Sequence, residues 1–226
     1  NRTLEDLIAG VESHVAVAVS EGKRVVLFGM SLGAQVALYL ASKYAVSGIV
    51  AVGVTHGLRF PLTLPGISLL AHLKRRWNKR FSKAELEMRR GAFYYDEMLS
   101  DGFFISRRLQ GLVERNAARI AQPLLFIHSV YDRLGDPRSV GSLCRMVSSN
   151  SIAHRFCTSR SHQLFFSEVR DEIIQEILSF TRRHLFSTDT HHAPEKASAV
   201  IAAYNEASRI SAVLTALLRA PSVGEI

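Results

Sequence analysis

The sequence predicts an α/β fold, a parallel β-sheet covered on both faces by helices. Three observations carry the prediction. Near-continuous apolar runs of strand length recur along the chain, among them RVVLFGM at 24–30 and VSGIVAVGV at 46–54, as strands buried on both faces require. Segments with helical apolar spacing separate these runs, the alternation that builds parallel sheets. The first run breaks at Gly29-Met30-Ser31-Leu32-Gly33 before a helical period resumes, so a serine stands between two glycines where a strand hands over to a helix.

The elements follow in order. Residues 4–20 set Leu4, Leu7, Ile8, Val11 and Val15 on one helical face and stop at Glu21-Gly22. Arg24–Met30 is the first strand, 32–44 a helix, and 46–54 the second strand. QPLLFIHSV at 122–130 is the third strand and Ile152–Thr158 the fourth. Helices fit 136–148 and 164–184, the former with Asp136 as N-cap and Pro137 at its first position. Residues 57–118 interrupt the alternation: no clear strand is visible, and several amphipathic helices are expected. An insertion there reads as a lid over the carboxyl end of the sheet, where open α/β sheets bind ligands. Residues 185–196 contain the polar run STDTHHAPEK and read as a linker. Residues 197–226 then restart as strand, turn and amphipathic helix.

Composition narrows the function classes. At 226 residues, with 47% hydrophobic and 21% charged, the chain has the make-up of an ordinary α/β protein. It lacks the run of about 18 apolar residues that a membrane span requires. Cys144 and Cys157 are too few for a disulfide framework or a zinc site, which predicts reduced thiols in the cytoplasm. The start, Asn-Arg-Thr-Leu-Glu-Asp, is neither a signal peptide nor an initiating methionine and predicts an internal piece of a longer protein. The net charge of +8 is concentrated between Arg59 and Arg90, where nine cations face only Glu85 and Glu87. This basic segment interleaves Leu73, Trp77, Phe81 and Leu86. It fits either a solvated lid packed by its apolar stripe or a lid that settles on an anionic membrane at the inner face. No nucleic-acid recognition motif accompanies the charges.

Ser31 has two readings: a helix cap, or a nucleophile lifted above the sheet beside the N–H groups of a helix N-terminus. A nucleophilic hydroxyl needs a base, and the base needs an orienting carboxylate. Asp132 falls just beyond the third strand, whereas Asp136 is better used as a cap. His162 lies in TSRSHQLFF, on the loop after the fourth strand. His154 lies within a strand, His184 at a helix end, and His191 and His192 in the linker. His128 lies in a strand and reads as packed; His56, just after the second strand, fits a pocket lining and a surface role equally.

GMSLG, PLLFIHSVYD and SRSH together resemble the α/β-hydrolase fold, especially its lidded branch of monoacylglycerol lipases, esterases and serine aminopeptidase-like hydrolases, over residues 4–184. The resemblance implies Ser31 as nucleophile, His162 as general base then acid, Asp132 as orienting carboxylate, and the Leu32 N–H as one oxyanion donor, with Gly29 and Gly33 shaping the turn. It implies a serine hydrolase of carboxylic esters, lipid esters or thioesters that needs no cofactor. In that family the second oxyanion donor follows an early strand, often as His-Gly, yet only one helix precedes residue 24. The chain is therefore expected to hold only the C-terminal part of the hydrolase sheet, with the edge of Arg24–Met30 bare. A bare apolar edge predicts poor solubility and little activity.

SAVIAAYNEASRISAVLTALL resembles the opening of family 2 glycosyltransferases. The resemblance implies that Ala203, Tyr204, Asn205 and Glu206 help hold the nucleotide of a sugar donor in a parent protein. A divalent metal would belong to that whole domain, and its acidic ligands are absent from this chain. The plain alternative is that Asn205 caps a core-forming helix. Two further readings are a non-catalytic hydrolase-like scaffold for a transferase, and an acyltransferase using the same triad.

Overall fold

The structure is a computed structural model that describes residues 3–57, 66, 76–78, 86–87, 97–185 and, for the backbone, 197–202. Its elements in chain order are α1 (Leu4–Ser20), β1 (Arg24–Met30), α2 (Leu32–Ala41), β2 (Gly48–Val52), β3 (Arg76–Asn78), β4 (Glu97–Leu99), α3 (Asp101–Asn116), β5 (Leu124–Ser129), α4 (Arg138–Met146), β6 (Ile152–Cys157), α5 (Arg170–Leu185) and β7 (Ala197–Ala202). A five-stranded parallel sheet runs in the order β6-β5-β2-β1-β7.

Strand side chains alternate between faces, and in β1, β2 and β5 both faces are apolar. Val25, Leu27, Ile49, Ala51, Leu124 and Phe126 point to the layer formed by α1, α2, α3 and α4. Val26, Phe28, Val50, Val52, Leu125 and Ile127 point to α5 through Ile173, Ile177 and Phe180. Helix α1 opens on a capping box, in which the Thr3 hydroxyl accepts from the Asp6 N–H and the Asp6 carboxylate from the Thr3 N–H.

Four expectations are corrected. The edge of β1 is covered: β7 pairs with it in parallel, from Arg24 against Ala197 to Gly29 against Ala202. The strand expected to begin a second domain thus joins the first sheet, where it satisfies backbone groups that a bare apolar strand leaves open. Residues 203–226, including Ala203, Tyr204, Asn205 and Glu206, lie outside the described residues, as do 186–196. Second, the 57–118 insertion is not wholly helical. It contains the antiparallel pair β3–β4, with Arg76 opposite Leu99 and Asn78 opposite Glu97. The Arg76 guanidinium donates to the Glu97 carboxylate at 2.9 Å. Strands of three residues leave no period for sequence to display. Third, α4 starts at Arg138, one residue later than expected, and Asp136 holds that start by accepting the Arg138 N–H at 3.0 Å. Fourth, the helix expected over 164–184 is a single 3-10 turn, Leu164–Phe166, followed by α5. Apart from Arg76, the basic residues of 59–90 lie outside the described residues.

Candidate active site

The turn from β1 into α2 is built around Ser31. Its backbone sits at φ 55°, ψ −118°, and it is the only non-glycine with positive φ among the described residues. Strain of this kind persists where neighbours enforce it. The Ser31 N–H donates to the Val52 carbonyl at 2.8 Å, pinning the turn to the end of β2. Gly29 is demanded by space: a Cβ there would lie 2.2 Å from the Gly33 carbonyl oxygen. Ser31 makes no side-chain capping bond to α2. Its hydroxyl faces His162 instead, with Oγ 2.9 Å from Nε2.

The other ring nitrogen of His162 lies 2.7 Å from Asp132 Oδ2. An ionised carboxylate only accepts, so Nδ1 carries the proton and Nε2 is left to accept from Ser31. Asp132 is buried, 1% exposed, and its Oδ1 accepts from the N–H groups of Leu134 at 2.8 Å and Gly135 at 3.1 Å. Burial raises its affinity for a proton. The hydrogen bond and charge of His162, the Leu134 N–H and His128 outweigh that, and the carboxyl stays below its ordinary range. The three side chains come from the ends of β1, β5 and β6, at the carboxyl edge of the sheet.

Residues that sequence reasoning passes over hold these loops in register. Gly53 has φ 54°, and a Cβ there would stand 3.4 Å from the His162 carbonyl oxygen and 3.6 Å from ring Cε1. The buried Ser129 hydroxyl bonds the Ser159 carbonyl and accepts the Tyr131 N–H at 3.1 Å. That ties the Asp132 loop to the His162 loop. Ser159 and Ser161 in turn accept the N–H groups of Ser161 and Gln163. Short polar side chains beside turns are the available signal, and it is too common to single these out.

Two further histidines are buried. His56 is 3% exposed, with Nε2 3.4 Å from Glu114, so a surface role is excluded. It sits beside Gln35, whose amide donates to the Thr55 carbonyl, Thr55 Oγ1 and Ser106 Oγ, docking α3 on α2. His128 is 1% exposed beneath Asp132, as its strand position suggests. Burial holds both imidazoles below the usual range, so they stay neutral at pH 7. His154 is exposed on β6. Leu32 is the first residue of α2, so its backbone N–H is among those a helix start leaves without an intrahelical acceptor, directly after Ser31. Among the described residues no group of three or more His, Cys, Asp or Glu could hold a metal ion, and no helix is long and apolar enough to cross a membrane.

Comparison with known proteins agrees with this architecture. The model of the alpha/beta hydrolase family matches residues 1–208, a span that runs through β7. A comparison with curated proteins finds no match. Among solved structures, the chain is similar to the monoacylglycerol lipase of Paleococcus ferrophilus, with a TM-score of 0.65 and 17% identity over 81% of this chain and 76% of that one. It is also similar to a soluble variant of monoglyceride lipase from Saccharomyces cerevisiae, with a TM-score of 0.61 and 16% identity over 82% and 70% of the two chains. A metagenome-derived lipolytic enzyme gives a TM-score of 0.60 and 16% identity over 80% and 78%.

Proposed function

The chain belongs to the alpha/beta hydrolase family, and from that premise we propose that it is a serine hydrolase of esters, working through an acyl-serine intermediate. The observation that carries the reading is the unbroken hydrogen-bond chain Ser31 Oγ to His162 Nε2 at 2.9 Å and His162 Nδ1 to Asp132 Oδ2 at 2.7 Å. A hydroxyl used as a cap or a surface group has no need of this chain.

In the proposed reaction Ser31 Oγ bonds to the acyl carbon while its proton passes to His162 Nε2. The carbonyl oxygen becomes an oxyanion, and the Leu32 N–H donates to it. The C–O bond to the leaving alcohol then breaks, and that alcohol takes the proton from Nε2. Water repeats the sequence on the acyl-serine and releases the acid. Asp132 stays ionised throughout and stabilises the imidazolium formed in each step. Gly29 lets the Gly33 end of α2 approach β1 closely enough to hold the geometry, since a Cβ at 29 would strike the Gly33 backbone. No cofactor is required by these steps.

Fatty-acyl esters of small alcohols are the first substrates to test, since the lipases of P. ferrophilus and S. cerevisiae act on monoacylglycerols by name. In this reading the enzyme works in the cytoplasm, and the basic 59–90 segment meets an anionic membrane where such esters collect. The test is turnover of p-nitrophenyl esters of graded chain length and of a monoacylglycerol by the full chain and by Ser31→Ala. Turnover that disappears in the variant supports the proposal. Equal release by both proteins contradicts it.

A further inference from the structure

We propose that His128 is a positioning residue for the triad: its Nε2–H, shared between Asp132 Oδ2 and the Gly135 carbonyl, fixes the carboxylate that aims His162. The inference rests on the serine-hydrolase reading for its kinetic consequence and on geometry for its cause.

Asp132 is gripped unevenly. Oδ1 has two backbone donors, whereas Oδ2 faces two imidazoles, His162 Nδ1 at 2.7 Å and His128 Nε2 at 3.5 Å. His128 Nε2 also lies 3.4 Å from the Gly135 carbonyl oxygen. Both distances are long: the Gly135 carbonyl is the hydrogen-bond acceptor, and Asp132 Oδ2 is a close polar contact beside it, so one N–H faces two oxygens. The opposite ring nitrogen, Nδ1, is buried without a hydrogen-bond partner among the described residues.

These facts select the tautomer. A proton on Nδ1 would bury an unpaired donor and press the Nε2 lone pair against two oxygens. A proton on Nε2 is directed between those oxygens and leaves only an unpaired acceptor, the cheaper loss. Gly135 closes the arrangement from the far side: a Cβ there would lie 3.2 Å from His128 Cε1 and 3.4 Å from Asp132 Oδ2. The groups that bear on the ring are Asp132 and Asp136 from the loop after β5 and His162 from the loop after β6. The thiol of Cys157 on β6 donates to the His128 carbonyl, at 3.6 Å. Burial keeps His128 neutral, so it acts as a fixed dipole and leaves the proton transfers to His162.

A neutral N–H on Oδ2 takes up part of the carboxylate's charge and stops the group from turning. Without it the full charge bears on the His162 imidazolium, the carboxylate can turn, and the aim toward Ser31 loosens. Misplacement by a fraction of an ångström costs about tenfold in rate.

The test has two arms on the full chain. In the 15N-labelled wild-type protein, NMR of the imidazole nitrogens, assigned by the signals lost in His128→Gln, should show His128 neutral with its proton on Nε2 at pH 7–8. A proton on Nδ1 overturns the proposal, whatever the enzyme does. In the kinetic arm, His128→Leu should lower kcat about tenfold per serine labelled by a fluorophosphonate, with KM unchanged. The acid limb of its kcat/KM profile should move to higher pH, and His128→Gln, which keeps a donor near Nε2, should restore both. An unmoved acid limb overturns the proposal even if kcat falls, because packing alone explains that result. Absence of fluorophosphonate labelling in the wild type would instead sink the serine-hydrolase reading and leave the NMR result standing.

Discussion

Replacing Gly29 by alanine tests how tightly the turn is built. The new Cβ would lie 2.2 Å from the Gly33 oxygen, 2.4 Å from the Gly33 carbonyl carbon and 2.6 Å from the Ala34 nitrogen. All three are backbone atoms, so no side chain can swing aside. Ordinary contact begins near 3.4 Å, and the first turn of α2 must retreat from β1 by about 1.2 Å to reach it. Ser31 and the Leu32 N–H ride on that turn. A displacement of about 1 Å costs on the order of 100-fold in turnover, and overpacking costs about 1–3 kcal/mol of stability. Gly10, within α1, is the control, because a Cβ there meets nothing within 4 Å. Gly10→Ala should raise the melting temperature slightly, since alanine favours a helix by up to about 1 kcal/mol. Ester turnover and thermal melts on both variants are the assay. A Gly29→Ala protein that melts and turns over like the parent would refute the close approach of strand and helix.

Asp132→Asn should cut kcat by about 10³-fold to 10⁴-fold, because a neutral amide neither selects the His162 tautomer nor stabilises an imidazolium; a loss under tenfold would deny Asp132 its role. Acid should weaken the fold in two windows. His56 and His128 are held below their ordinary range by burial, so the unfolded chain binds more protons and stability falls as pH drops below about 6.5, by at most about 1.4 kcal/mol per pH unit for each. The depressed Asp132 carboxyl stabilises the fold above its unfolded value near pH 4, and that contribution goes only as pH falls through the lower folded value. A melting temperature constant from pH 7 to 5 would contradict buried neutral imidazoles. Truncation after residue 185 removes β7 and bares the β1 edge, so light scattering should report aggregation; a monodisperse truncated chain would show that β1 does not depend on that strand.

What can be read from sequence follows from how local each signal is. Ser31 and Asp132 each stand just past an apolar run of strand length, and His162 lies on the loop after the strand at 152–158, so the order of strands is enough to nominate them. Bringing them within hydrogen-bond distance requires the register Met30 with Val52, Val52 with Ile127 and Ile127 with Arg155, which no local pattern encodes. The same holds for β7. Its residues read as a strand, but sequence carries no statement of which edge a strand will cover. Gly53 and Gly135 matter because of what a Cβ would touch, information that exists only after folding. His128 reads as packed, and it is; its bearing on Asp132 depends on a turn that carries Gly135 back over the ring. The β3–β4 pair is invisible in sequence because three residues are shorter than any period.

The central claim is that Ser31 is an activated hydroxyl, and reaction with a fluorophosphonate tests it most directly. Intact-mass measurement followed by peptide mapping should find one probe per chain, bonded to Ser31 Oγ, with labelling slowed at least about 100-fold in His162→Phe. A wild-type chain that stays unlabelled, or labels equally fast without His162, would contradict the account.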